Sequence, residues 1–203
     1  MHGAAAYNRL CEESEGTKLR SASVLLFAFS CCTGSLGAQK TSTGKPLDVP
    51  YEPSSPAIVA GMLKLANVTK HDVVYDLGCG DGRIVIEAAK TMKARGVGID
   101  VDPERIAEAQ QNARKAGVGR RVVFRTQNLF EADIKEATVV MLYLWPEVNL
   151  KLLPKLRREL KPGTRIVSHS HDMGEWKPEK EIQVEGHRIY MWTIPARAAV
   201  KTD

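Results

Sequence analysis

Residues 73–83 read VVYDLGCGDGR, and the acid and glycines in this segment are spaced to hold a ligand. Val73, Val74 and Tyr75 form an apolar run suited to a buried strand. Asp76 follows, then Gly78, Gly80 and Gly82 at alternate positions, and an amphipathic helical pattern begins near Arg83. A strand running into a glycine turn and a helix lets backbone N–H groups approach a ligand, with the positive helix end behind them. Glycine alone permits that approach and the positive φ values of such a turn. Cys79 is expected to pack as a small residue inside the turn. A second acid, Asp100, closes the next strand, Gly96-Val-Gly-Ile-Asp-Val101. A carboxylate there can accept hydrogen bonds from both hydroxyls of a ribose. Asp102, directly before Pro103, is the better placed helix cap.

The elements that must position these groups are legible in the apolar periodicity. Ser54-Ser55-Pro56 opens a helix, and Val59, Met62, Leu63 and Ala66 form one stripe along it. Strands are expected at about 72–77, 96–101, 121–125, 137–144 and 164–169, with helices at about 83–94, 103–117 and 146–160 between them. Two short strands, about 181–185 and 187–194, flank Gly186 and suggest an antiparallel hairpin. Strands alternating with helices imply right-handed crossovers, hence an α/β, doubly wound, Rossmann-like sheet. It should be mostly parallel, carry helices on both faces and end in the antiparallel hairpin. Ligands of such sheets lie beyond the carboxyl ends of the strands, where the strand order reverses. Four segments should meet there: the turn at 76–82, Asp100 with Val101, the loop Asn128-Leu-Phe130, and Leu142–Pro146.

Composition bounds the partners. The net charge is +5, and removing residues 1–38 leaves it unchanged, because Arg9, Lys18 and Arg20 balance Glu12, Glu13 and Glu15. That excess falls short of the clustered basic stripe of a dedicated nucleic-acid binder, and no nucleic-acid partner is expected. Lys151, Lys155, Arg157, Arg158 and Lys161 share one helix and read as a solvated face. Within 1–38, Lys18 and Arg20 precede the apolar run Val24–Phe29, and small residues end in Leu36-Gly-Ala38. This is the order of a secretory signal, and the run is too short for a stable membrane span. Export to the periplasm is the preferred reading. A disordered tail on a cytoplasmic protein is the rival, and a lipoprotein cysteine at Cys31 or Cys32 suits the pattern poorly. Residues 39–50 read as a linker, 51–197 as the globular domain and 198–203 as a tail.

The pattern Asp76-x-Gly78-x-Gly80-x-Gly82, with Asp100 after the next strand, resembles the seven-strand class I methyltransferases that use S-adenosylmethionine. The resemblance covers about residues 50–195. More narrowly, VPYEPSS at 49–55, DLGCGDGRIVIEAAK at 76–90 and the closing hairpin resemble a small bacterial family. That family is similar to the mitochondrial lysine methyltransferases acting on the adenine nucleotide translocase and the ATP synthase c subunit. The resemblance implies that Asp76 and the backbone of Gly78, Cys79 and Gly80 hold the methionine end of S-adenosylmethionine, with Asp81 a further candidate. Asp100 would hold the ribose, with Val101 beside it among the cofactor-binding residues. Asn128 stands where many members carry an aspartate facing the adenine amino group, and its carbonyl oxygen can still accept. Leu129 and Phe130 would sandwich the ring, with Leu142 lining the same site and Tyr51 and Glu52 closing over the methyl donor.

Amine and amide methyltransferases of this class often carry an Asn/Asp-Pro-Pro-aromatic motif where this chain reads Leu142-Tyr-Leu-Trp-Pro146. The amide or acid is missing, but Tyr143 and Trp145 could line a slot through cation–π contact. A protein lysine is the leading acceptor and a small molecule the second. His169, His171 and Asp172 invite a metal reading, yet no further ligand has suitable spacing, and no metal is expected. A nicotinamide oxidoreductase shares the fold logic but not this glycine spacing. A silent protein that kept the cofactor pocket is the remaining alternative.

Overall fold

The computed structural model describes residues 52–196. The readings made for the leader, the linker, the tail and Tyr51 fall outside the described residues. Within them, α1 (Pro56–Leu65) is capped by Ser55, whose side chain accepts from the Ile58 N–H, and Pro56 occupies the first turn. It is followed by β1 (Val73–Leu77), α2 (Arg83–Glu87), β2 (Arg95–Asp100), α3 (Pro103–Lys115), β3 (Val122–Thr126), β4 (Val139–Leu142), α4 (Pro146–Glu159), β5 (Arg165–His169), β6 (Lys180–Val184) and β7 (His187–Thr193).

The seven strands form one sheet in the order β3-β2-β1-β4-β5-β7-β6. Strands β1 to β5 are parallel, whereas β7 runs antiparallel to both β5 and β6. All five residues of β1 are buried, as a central parallel strand covered on both faces must be. One core packs α1, α2 and α3 against the sheet through Ile58, Met62, Val85, Ala113 and Met141. The other packs α4 and the 129–137 connection through Ile134, Leu142, Leu152, Leu156 and Trp192. Strand order reverses between β1 and β4, so the ligand crevice is expected beyond Leu77 and Leu142.

Three local expectations are corrected. The helix expected to run unbroken over 83–94 is an α-helix only to Glu87 and then widens into a π-helical turn, Ala88–Met92, closed by Lys93 at φ 60°. Ala88 and Ala89 are both fully enclosed there, and small side chains allow such close approach. The fourth strand stops at Leu142 because Tyr143 to Trp145 leave the ladder over the strand ends. Finally, the basic face of α4 is only partly solvated. Lys155 is buried against Glu159 at 2.7 Å, Arg157 lies over the Trp176 ring and Lys151 over Phe130.

The opposite rim of the sheet is tied by Asp72. Its carboxylate accepts from the Thr69 N–H and from the Thr69 and Thr138 hydroxyls, and pairs with Arg165. Burial alone would raise its pKa, but the Thr138 and Thr69 hydrogen bonds and the Arg165 guanidinium outweigh it and hold the group below its ordinary value. A depressed folded-state pKa gives stability that is present above the unfolded value and lost as pH falls. Asp72→Ala leaves Arg165 and Thr138 without this partner, and urea unfolding should show a loss of about 3–5 kcal/mol at neutral pH. The wild type should in turn lose more stability than the variant on acidification below pH 4.

Candidate active site

The turn after β1 is built from its own backbone. Gly78 and Cys79 both donate N–H to the Ile99 carbonyl, at 2.8 and 2.9 Å, and the Gly82 N–H returns to the Cys79 carbonyl. Gly78, Gly80 and Gly82 have φ of 89°, 50° and 78°, a region that side-chain-bearing residues seldom enter. Gly82 has a second reason to be glycine: a Cβ there would lie 2.6 Å from the Phe124 ring and 2.9 Å from Ala109. The start of α2 can therefore pack closely on α3 and β3. Cys79 is buried, with its sulfur against Gly98 and both backbone groups used inside the turn. Burial, with Asp76 and Asp100 nearby, pushes its thiol well above the usual range, so it is held as an uncharged packing residue.

Asp100 serves the same turn. One carboxylate oxygen accepts the Gly80 N–H at 2.9 Å and the other the Asp102 N–H at 3.0 Å. Each oxygen keeps capacity for a further donor. Val101 is half-buried beside it, and Asp102 caps α3 as expected, accepting from the Glu104 N–H. Asp81 is held by Arg83 through Nε and Nη2, at 3.0 and 2.7 Å, while Arg83 Nη1 donates to the Ser54 carbonyl. Asn112 of α3 donates to the Asp81 carbonyl. Arg83 and Asn112 escaped sequence reasoning. The Asp81–Arg83 pairing was visible in the spacing, whereas the contacts to Ser54 and from Asn112 are non-local.

Asp76 stands apart. It is 2 % exposed, and none of the hydrogen bonds found among the described residues falls on its carboxylate. Burial, with Asp100 and Asp81 of like charge, pushes its pKa up to about 8. An enclosed carboxylate facing two others calls for a cation, and the primary amine and sulfonium of an adenosyl methyl donor answer that need. The residues at this rim fit S-adenosylmethionine.

The residues expected on the adenine side also have local partners. Asn128 uses its carbonyl oxygen to accept the Phe130 N–H at 3.0 Å and its amide to donate to Glu131, so it also shapes its own turn. Leu129 and Phe130 are half-buried against the core around α4, with Lys151 over the Phe130 ring. Leu142 is fully enclosed in that core, and Leu144 is the residue that reaches the glycine turn, 2.9 Å from where a Gly78 Cβ would stand. Both leucines belong to the core under α4, but β4 ends at Leu142, and the chain beyond the strand end carries Leu144 over Gly78.

At the ends of β4 and β5, Tyr143 donates its hydroxyl to Glu52 at 2.9 Å. Burial and the Glu52 carboxylate raise the Tyr143 pKa to about 12, so the phenol keeps its proton. The Tyr143 ring lies 3.9 Å from the His169 ring and 6.5 Å from that of His171. Ser54 Oγ is 2.9 Å from His169 Nδ1. Trp145 is 50 % exposed and stands at the start of α4. Among the described residues no cluster of His, Cys, Asp or Glu could hold a metal ion, and no helix is long and apolar enough to cross a membrane.

This geometry has relatives. Residues 76–180 match the family described as the ANTKMT methyltransferase domain. The chain is 48 % identical to a protein-lysine N-methyltransferase of Saccharolobus islandicus (strain REY15A), covering 72 % of this chain and 94 % of that one. It is 29 % identical to the mouse adenine nucleotide translocase lysine N-methyltransferase over 73 % of this chain and 64 % of the relative. A crystal structure described as an RNA methyltransferase from Salinibacter ruber, in complex with S-adenosyl-L-homocysteine, superposes with a TM-score of 0.71. It shares 53 % identity, covering 75 % of this chain and 99 % of that one. The strand order, the glycine turn between two carboxylates and these matches agree: the chain belongs to the ANTKMT methyltransferase-domain family and is an S-adenosylmethionine-dependent methyltransferase.

Proposed function

We propose that the protein transfers methyl groups to the ε-nitrogen of lysine side chains in a protein acceptor. The observation that carries this reading is the 48 % identity, over nearly the whole of the relative, to a protein-lysine N-methyltransferase. The rim chemistry supports it. Glu52, Tyr143 and Trp145 bring a carboxylate and aromatic faces to the acceptor side, a setting for a cation rather than a polyanion. RNA is the second reading, because the Salinibacter relative carries that description.

On this reading Asp76 pairs with the donor's amino group, the turn at Gly78–Asp81 lines the methionine end and Asp100 accepts the ribose hydroxyls. The bound donor supplies a methyl group already activated by its sulfonium. The chain's own work is alignment, exclusion of water and stabilisation of the deprotonated acceptor amine, which apolar surroundings favour. Tyr143 keeps its proton and fixes Glu52; it is not the base. Export through the leader is part of the proposal and would require methyl donor outside the cytoplasm.

The test is incubation of the full chain with labelled S-adenosylmethionine and cell extract. Lysine methylation predicts label that protease releases as N-methyl-lysine and that ribonuclease leaves in place. Label released by ribonuclease instead would replace this reading with the RNA one.

A further inference from the structure

Around the ends of β4 and β5 the structure gathers Glu52, Tyr143 and His169. Glu52 accepts the Tyr143 hydroxyl, and no ion pair found among the described residues involves its carboxylate. The Tyr143 ring lies on His169 with an interplanar angle of 32°. His169 is 1 % exposed, and its Nε2 is enclosed with no hydrogen-bond partner among the described residues. Native structures seldom leave such an atom unmatched without a functional reason.

The geometry points to a seat for a primary ammonium group, formed by the Glu52 carboxylate, the Tyr143 ring and His169 Nε2. This inference rests on the lysine reading and deepens it by assigning the residues that would tell a primary ammonium from a nucleobase. Glu52 supplies the opposite charge for docking, and the docked ammonium gives up a proton to solvent before its nitrogen attacks the methyl group. Tyr143 supplies the negative face of its ring, and its hydrogen bond to Glu52 holds both groups in place. In the tautomer whose Nδ1–H donates to Ser54 Oγ, His169 Nε2 carries a lone pair; the atom is enclosed, so it accepts an N–H of the arriving group once a neighbouring side chain moves aside. Burial, with His187 and His171 close by, depresses the His169 pKa to about 4, so the ring is neutral at physiological pH and does not repel a cation. A phosphate-rich acceptor would instead meet Glu52 as a like charge, and that repulsion adds discrimination.

The experiment uses the full chain saturated with S-adenosylhomocysteine and titrated with n-butylammonium, following the imidazole 15N signals. The His169 Nε2 signal should move in the wild type. In Glu52→Gln the apparent affinity for n-butylammonium should fall about fivefold, the usual scale for one exposed ion pair. With labelled donor and poly-L-lysine, Glu52→Gln should raise KM by about the same factor and change kcat less. Tyr143→Phe, which keeps the ring but frees Glu52, should show a smaller rise. An unmoved His169 signal in the wild type overturns the seat whatever the acceptor. Equal poly-L-lysine kinetics in wild type and Glu52→Gln overturn the seat and leave the lysine reading standing. Label entering transfer RNA but not poly-L-lysine removes the lysine reading and the seat with it.

Discussion

Asp76→Asn should weaken S-adenosylhomocysteine binding about 10- to 100-fold at pH 8.5, the scale of a lost charge-assisted hydrogen bond. At pH 6 the gap between the two proteins should close to a few-fold. The reason is the raised pKa of about 8, caused first by burial and then by Asp100 and Asp81. Below that pH the ligand-free wild type holds a proton that must leave before the carboxylate can meet an amino group. Wild-type affinity should therefore fall by up to tenfold per pH unit below 8 and level off above it. Asparagine has no proton to release, so the variant's profile should be flat over the same range. Calorimetry in two buffers of different ionisation enthalpy checks this directly, with close to one proton released per wild-type site at pH 7. The linkage also fixes the sign for stability. A folded-state pKa raised above the unfolded value gives stability that is full at low pH and lost as pH rises through the folded value. The ligand-free variant should gain in melting temperature relative to wild type above pH 8.

Asp100→Ala is expected to be at least as damaging to donor binding, by a different route. Its two oxygens already accept the Gly80 and Asp102 N–H groups, which joins the glycine turn to the start of α3. Their remaining lone pairs are proposed to take both ribose hydroxyls. Losing two hydrogen bonds to a charged acceptor, each worth about 1.5–3 kcal/mol, corresponds to a fall in affinity of about 10²- to 10⁴-fold. Asp100→Asn keeps one acceptor oxygen and should recover part of that loss. Calorimetry with S-adenosylhomocysteine measures both. A change below about threefold in the alanine variant would place the ribose elsewhere.

Much of this arrangement is local and so was legible in the chain. The apolar run at Val73–Tyr75, the glycines at alternate positions and the caps at Ser55 and Asp102 act within a few residues, and each fell where periodicity and cap chemistry placed it. Asp100 was legible because a parallel sheet delivers the end of β2 beside the turn after β1. The acceptor side was not. Its links join Glu52 to Tyr143, Ser54 to His169 and Ser54 to Arg83, and no short-range pattern encodes pairings at such separations. Leu144 was not singled out from the sequence; it reaches the glycine turn because the strand ends at Leu142, and element boundaries follow from tertiary packing more than from composition. His169 stood in the sequence beside His171 and Asp172 at a strand end, yet the fold buries it, because β7 pairs beside β5 and the segment before α1 closes over it.

Either reading of the acceptor leaves the proposed donor site of this chain the same: the turn at Gly78–Gly82 with Asp76 and Asp100. The most direct measurement is a crystal structure of the full chain grown with S-adenosylhomocysteine. The account predicts ligand density beyond the ends of β1 and β4, with the ribose hydroxyls on Asp100 and the amino group on Asp76. Density elsewhere, or a turn at Gly78–Gly82 closed by Leu144 with no ligand against Asp76, would contradict it.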